Sequence, residues 1–213
     1  VYGEEEREQG TDSRHGHYHE QDHEHSHHDE HDHHHEHGHH HEHGHHHHAA
    51  PGHIADLISH LELPEGVKIH ARAVYDDIAA AEAKAHGCPV SDVHFHEVGA
   101  LDAVADVTGV CYAMYLLGAE QIIVSPIHVG SGTVRCAHGV MPVPAPATAN
   151  ILEGVPVYGG SIRGELCTPT GAALLKHFAD AFGPMPVMET RGVGIGIGTK
   201  TFEQANCVRV FLG

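Results

Sequence analysis

Hydrophobic residues recur at helical spacing in several stretches of the chain, and this periodicity predicts a set of amphipathic helices. The first predicted helix covers residues 51–63. The second covers 67–87, where an apolar stripe ends at Gly87, a typical helix stop signal. The third covers 100–118 and is mostly apolar, so we expect it to be buried. The fourth covers 168–183, with a Thr-Pro pair at its start that suits a helix N-terminus.

The segments between these helices are shorter and lack helical periodicity. Those that are strand-like or extended are 90–99, 121–130 and 155–158. Residues 131–148 are rich in Gly and Pro and too irregular for an interior element, and a short helix is predicted over 146–153. Because strands alternate with helices, the pattern indicates one compact domain of α/β or α+β class over residues 51–213.

Residues 1–48 have a composition unlike that of the rest of the chain. Between His15 and His48, 20 of 34 residues are His, mixed irregularly with Asp and Glu. A segment with so few aliphatic side chains cannot offset the entropy of ordering, so we expect 1–48 to be disordered. We call residues 15–48 the histidine tract. Its length and irregularity favour a native feature over a purification tag.

Charge and cysteine content exclude several classes of function. The formal net charge is −18, of which residues 1–48 supply −11. A chain this negative does not bind nucleic acid by neutralising its phosphates, so no nucleic acid partner is expected. No segment resembles a signal peptide or a membrane span. Five scattered Cys without a CxxC pair suit free thiols in the cytoplasm. A start at Val1 and a stop just after a strand-like segment suggest a fragment of a longer protein.

The histidine tract is the first candidate for chemistry. Neutral imidazoles bind Ni(II), Zn(II) and Cu(II), and dense His offers many overlapping sites with rapid exchange, as in a metal store. The representative ligands are His33, His34, His35, His39, His40, His41, His45, His46, His47 and His48. The alternative is a solvated spacer, which we consider weaker because Gly, Ser or Glu would serve that purpose.

The segment 93–106 is the second candidate. If it begins extended, His94 and His96 share one face, and Glu97 follows at once. Asp102 and Asp106 then lie one turn apart on the next helix. These groups predict a metal or acid–base site, with Glu97, His96 and Asp102 as candidate catalytic residues. The alternative is equally compatible with the spacing: Asp102 starts the helix, Asp106 faces solvent and the imidazoles form local hydrogen bonds.

Two further loops carry weaker candidates. His128 and His138 flank a Gly-rich loop and are possible metal ligands, although a lone His is more often a satisfied polar group. Thr168, Thr170 and Gly171 lie at a helix N-terminus that could receive a phosphate or carboxylate. Ordinary helix capping explains the same residues without a ligand.

Three segments of the chain resemble a known family. VHFHEVGALDAVADVTG, HGVMPVPAPAT and GELCTPTGAALL, preceded by a His-rich insert, resemble the nickel-insertion proteins of nickel-pincer cofactor synthesis, often called LarC. The resemblance implies insertion of Ni(II) into a pyridinium mononucleotide with two thiocarboxylate arms, so that nickel bonds a ring carbon and two sulfurs. It also implies a lyase-type nickel chelatase that depends on CTP with Mg(II) or Mn(II).

The resemblance implies partners as well: a lactate racemase-type apoenzyme or the sulfur-insertion enzyme of the same pathway. The family's opening Gly-x-Ser-Gly-Asp segment and its nucleotide-binding C-terminal portion have no counterpart in this sequence. We therefore expect CTP use to need those segments. Two other functions stay open: a non-catalytic nickel metallochaperone or store, and, less favoured, a zinc hydrolase built on His94, His96 and Asp102.

Overall fold

A computed structural model describes residues 50–95, 98–136 and 138–213 of the chain, and the structural statements below concern these residues. These residues belong to one compact unit. The histidine tract, with its predicted disorder and its predicted ligands, lies outside the described residues.

The described residues form helices joined by very short strands, which confirms the mixed α/β class. A single 3₁₀ turn, Val90–Asp92, precedes the third helix. The helices are α1 (Pro51–His60), α2 (Glu65–His86), α3 (Leu101–Leu117), α4 (Pro146–Ile151) and α5 (Pro169–Phe178). Each lies within or close to a segment for which the sequence predicts a helix.

Helix α2 is the centre of the core, because α1, α3, α4 and α5 all pack against it. Its apolar residues recur every three or four positions and are buried: Val67, Ala71, Val74, Tyr75, Ile78, Ala79, Ala81 and Ala83. Full burial of one Val or Ile side chain contributes about 1.5–3 kcal/mol. Gly87 ends the helix at φ 66°, in the left-handed region that favours glycine, as the sequence predicts.

The prediction that α3 is buried is wrong. Only Val104, Val107, Thr108 and Cys111 are buried along this helix. Leu101, Tyr115 and Leu116 are exposed, with 73%, 54% and 66% of their surface accessible. The mostly apolar composition of α3 does not show how many neighbours cover the helix. Here one face of α3 packs on α2, and the outer face is open.

The strands form five two-stranded pairings among the described residues. They are β1 (Ile123–Val124), β2 (Ile127–His128), β3 (Gly130–Ser131), β4 (Thr133–Cys136), β5 (Gly139–Pro142), β6 (Val157–Tyr158), β7 (Gly164–Glu165), β8 (Ala181–Phe182), β9 (Gly192–Ile197) and β10 (Cys207–Leu212). The pairs β1–β8 and β2–β6 are parallel. The pairs β3–β7, β4–β5 and β9–β10 are antiparallel. No helix in the described part of the chain is long and apolar enough to cross a membrane.

Three segments differ from the sequence-based expectation. Residues 90–92 form a 3₁₀ turn before the extended residues that follow. Residues 131–148 include the exposed β4–β5 hairpin instead of an irregular loop. Helix α5 ends at Phe178, not at Gly183, because the chain leaves the helix to pair β8 with β1. That pairing joins residues about 58 positions apart, which no local pattern reveals.

Candidate functional site

The segment that begins at Val93 is anchored by its apolar residues. Val93 and Phe95 are each 2% exposed, whereas His94 between them is exposed. This alternation is what the extended segment predicts, with imidazole and phenyl groups on opposite faces. His96 and Glu97 lie outside the described residues, so their assignment as catalytic groups stays a prediction.

Tyr75 of α2 holds the chain between Phe95 and α3. Its hydroxyl donates a hydrogen bond to the Val98 carbonyl at 3.1 Å. Its ring packs against Phe95, with the ring centroids 5.9 Å apart. Spacing along the sequence does not single out Tyr75, because it lies among the apolar residues of α2. A signal was present, since a buried Tyr hydroxyl needs a hydrogen-bond partner.

The carboxylates of α3 act electrostatically on the same hydroxyl. Burial raises the pKa of Tyr75 well above its usual range, and the negative charges of Asp102 and then Asp106 raise it further. Tyr75 is therefore a neutral hydrogen-bond donor at physiological pH. The structure brings Tyr75, Phe95 and the two carboxylates into one region.

Asp102 also takes part in the start of α3. The residue that precedes this helix, Ala100, offers no side-chain cap, and Asp102 lies in the first turn, where a negative charge is favourable. Its Oδ1 accepts a hydrogen bond from the Ala103 N–H at 2.9 Å. These contacts agree with the helix-start interpretation of Asp102.

Within residues 50–95, 98–136 and 138–213, no three His, Cys, Asp or Glu side chains lie close enough together to hold a metal ion. His94, Asp102 and Asp106 therefore do not form a ligand set by themselves. A metal site with three protein ligands in this segment would need a contribution from His96 or Glu97.

His128 and His138 lie in separate environments. His128 stacks on Tyr158 with a centroid distance of 4.5 Å, and its Nε2 lies 3.0 Å from the Gly159 carbonyl, to which it can donate. The His138 ring lies 4.9 Å from that of His86 on α2. Each of these two imidazoles lies beside another ring. The role of His128 and His138 as metal ligands stays a prediction.

The start of α5 is capped as the sequence predicts. Thr168 is the N-cap, Pro169 occupies the first turn, and the Gly171 N–H donates to Thr168 Oγ1 at 3.3 Å. This bond satisfies one of the N–H groups that an anion would otherwise contact. Thr170 is partly buried beside it. The anion-binding role of Thr168, Thr170 and Gly171 stays a prediction.

A shallow cleft of about 180 Å³ lies between α2, α4 and α5, and its cationic groups already have partners. Lys84 forms an ion pair with Glu153, and its hydrogen bond lowers the pKa of that carboxyl. Lys176 donates to the Ile151 carbonyl at 2.6 Å. The cleft therefore does not offer an uncommitted cation for a substrate phosphate.

Two of the thiols, Cys111 and Cys167, are buried, at 0% and 6% exposure. Burial raises the pKa of Cys111 to about 11. Burial, followed by the nearby charge of Glu165, raises the pKa of Cys167 to about 11 as well. At neutral pH and without a metal, both groups are therefore in the less reactive thiol form.

Replacing Tyr75 with Phe is expected to lower the free energy of unfolding by about 0.5–1.5 kcal/mol, because the hydrogen bond to Val98 is lost while the ring packing remains. Urea denaturation followed by circular dichroism measures the change. Tyr115→Phe is the matched control, because Tyr115 is exposed on α3. Equal costs for the two variants would contradict the anchoring role of the Tyr75 hydroxyl.

The comparison with known proteins covers almost the whole chain. The family described as "Nickel insertion protein" matches residues 4–213. The chain belongs to the nickel insertion protein family. The resemblance inferred from the three sequence segments is thereby confirmed.

Individual relatives are similar over about three quarters of the chain. A protein of Geobacillus kaustophilus named pyridinium-3,5-bisthiocarboxylic acid mononucleotide nickel insertion protein is 48% identical over 167 residues, covering 78% of this chain and 41% of its own length. A Nocardioides protein of the same name is 49% identical, and the match covers 75% of this chain and 41% of the Nocardioides protein. A protein of Geobacter metallireducens named putative nickel insertion protein is 47% identical, and the match covers 78% of this chain and 44% of the Geobacter protein.

The chain spans about two fifths of the length of these relatives. No solved structure matches the chain.

Proposed function

We propose that this chain takes part in the insertion of Ni(II) into pyridinium-3,5-bisthiocarboxylic acid mononucleotide, the reaction that forms the nickel-pincer cofactor. The observation that carries the proposal is the family match over residues 4–213, with relatives at 48% and 49% identity that are named for this substrate. Nickel is a substrate in this reaction, delivered to the organic molecule and released with it.

The metal-binding side chains of this protein suit the delivery of Ni(II) to the mononucleotide. Imidazole and carboxylate ligands exchange a divalent ion readily, and the histidine tract supplies both in high density. The two buried thiols, Cys111 and Cys167, are 0% and 6% exposed and offer the metal little access. In this proposal the tract gathers Ni(II) and passes it to the folded unit.

The bond-forming step requires a base. Nickel replaces a proton on a ring carbon, so that the C–H electron pair becomes the carbon–nickel bond and the proton leaves to a basic group, while both sulfurs coordinate the metal. Glu97 or His96 accepts this proton, since both follow the anchored Phe95 directly. Asp102 assists from the first turn of α3. Tyr75 positions the connection between them through Val98.

The remaining assignments complete the proposal. The start of α5, with Thr168, Thr170 and Gly171, receives the substrate phosphate at a helix N-terminus. The reaction class is that of a lyase-type nickel chelatase that uses CTP with Mg(II) or Mn(II). A lactate racemase-type apoenzyme receives the product, or the sulfur-insertion enzyme supplies the substrate.

The test is direct detection of the product. The chain is incubated with Ni(II), the mononucleotide, CTP and Mg(II), and mass spectrometry follows the gain of nickel by the small molecule. The full-length Geobacillus relative serves as the control for the reagents. We expect product from the relative, and from a protein in which this chain replaces the matching part of the relative, because this chain spans only 41% of the relative's length. Product from the relative alone would refute insertion by this chain.

Two variants separate the predicted roles. Either His96→Ala or Glu97→Gln, whichever removes the proton acceptor, is expected to lower the rate by about 100-fold or more, which is the range for loss of a general base. Deletion of residues 15–48 is expected to raise the nickel concentration required, with the rate at saturating nickel unchanged. His53→Ala, an exposed residue of α1, is the matched control.

A non-catalytic nickel metallochaperone is the second candidate, favoured by the 20 His of the tract alone. It predicts the opposite pattern. Deletion of the tract would remove the function at every nickel concentration, and His96→Ala would leave it unchanged.

A further inference from the structure

A pair of imidazoles outside the three family segments joins two helices of the core. His70 of α2 and His177 of α5 are 107 residues apart in sequence, and His70 Nδ1 lies 2.8 Å from His177 Nε2. His70 is exposed and His177 is partly buried. The Phe178 ring lies 5.3 Å from the His70 ring and gives the pair an apolar side.

The nitrogen separation suits shared coordination of one metal ion. Imidazole nitrogens bind metals such as zinc at about 2.0–2.1 Å, so two of them at right angles on one ion are about 3 Å apart. The observed 2.8 Å is close to this separation. The same distance also accommodates a single N–H···N hydrogen bond, so a metal ion would replace this bond and lie to the side of the line that joins the two nitrogens.

The surroundings favour neutral imidazoles and a positive ion. Burial lowers the pKa of His177, the neighbouring His70 lowers it further, and Asp77 opposes both effects. A neutral imidazole keeps the lone pair that a metal requires. Asp77, two turns along α2 from His70, adds a carboxylate charge that attracts a dication.

We propose that His70 and His177 form a two-imidazole site for a divalent transition metal ion, which bridges α2 and α5. The choice of Ni(II) as the occupant rests on the proposed function. No third His, Cys, Asp or Glu joins the pair among the described residues, so water or a substrate donor fills the other coordination positions. Such a site binds weakly and exchanges its metal, which suits an intermediate position between the histidine tract and the organic acceptor.

Residue-resolved protection in the full chain tests the site. Diethyl pyrocarbonate modifies accessible imidazoles, and peptide mass spectrometry reads the rate at His70 with and without excess Ni(II) at constant pH. We expect nickel to slow modification of His70 by about tenfold or more, as coordination blocks the lone pair. In the His177→Ala variant this protection should be lost. His53, exposed on α1, is the internal control and should be unaffected.

The outcomes separate this site from the proposed function. Protected tract imidazoles with an unprotected His70 would overturn the two-imidazole site and leave nickel binding by the chain intact. If neither the tract nor His70 is protected, nickel handling itself fails. Protection of His70 that survives in His177→Ala would exclude the bridge and indicate a single ligand.

A stability measurement gives a second, independent readout. Metal that binds only the folded chain shifts the folding equilibrium by about 100-fold at 100 times the dissociation constant. The bridge exists only when α2 and α5 are packed, whereas tract ligands are neighbours in sequence and are present in folded and unfolded chains alike. We expect nickel to raise the melting temperature of the wild-type chain and of His53→Ala. An equal rise in His177→Ala would contradict the bridge.

Discussion

Replacing Phe95 with Ala is expected to lower the free energy of unfolding by about 3–5 kcal/mol, the cost of deleting a buried phenyl ring. Phe95 is only 2% exposed and is among the largest fully buried side chains. The substitution removes the ring that packs against Tyr75 and leaves a cavity beside α2. Since a domain of this kind is stable by about 5–15 kcal/mol, the loss is a large fraction of the total.

Urea denaturation measures the effect of Phe95→Ala. Phe95→Leu is the first control and is expected to cost less than about 1.5 kcal/mol, because it keeps most of the apolar volume. Leu101→Ala is the second, with an expected change within about 0.5 kcal/mol, because Leu101 is 73% exposed. A cost for Phe95→Ala below about 1 kcal/mol would show that the segment between His94 and His96 is not anchored by its phenyl ring.

Acidification from about pH 7.5 to about pH 5 is expected to weaken nickel binding by the histidine tract about 1000-fold. An imidazole in water has a pKa of about 6.5, so only about 3% is neutral at pH 5. A nickel ion held by two imidazoles requires both to be neutral. The affinity therefore falls with the square of the neutral fraction. Protons compete with nickel for the imidazole lone pairs, so nickel binding is present above the imidazole pKa and is lost as the pH falls through it.

Equilibrium dialysis at the two pH values measures bound nickel per chain. The control is the full chain with Asn in place of each tract His, which should bind little nickel at either pH and so assigns the signal to the tract. Unchanged stoichiometry at about pH 5 with the wild-type chain would contradict loose imidazole binding. It would indicate a preorganised site in its place.

Local signals predicted most of the helical framework. The apolar stripe of α2 and the αL glycine at its end depend on residues within a few positions of each other. The same is true of the Thr168 cap at the start of α5. These features rest on backbone geometry and capping bonds that the chain forms with its own neighbours, so their positions follow from the sequence.

The candidate site was only partly predictable. Spacing placed His94 opposite the buried Phe95 and put Asp102 in the first turn of α3. It did not indicate Tyr75, whose hydroxyl meets Val98 23 residues away. Nor did it show whether His128 and His138 would meet, since that depends on the course of the strands that carry them.

The sequence alone determined the family, the helix positions and the metal-binding chemistry of a chain with 29 His, because these depend on composition and on short-range order. Only the tertiary structure decided which faces are covered, and therefore that the outer side of apolar α3 is open. It alone brought His70 within 2.8 Å of His177. The physical reason is that periodicity shows which side of an element is apolar, while packing between distant segments selects its neighbours.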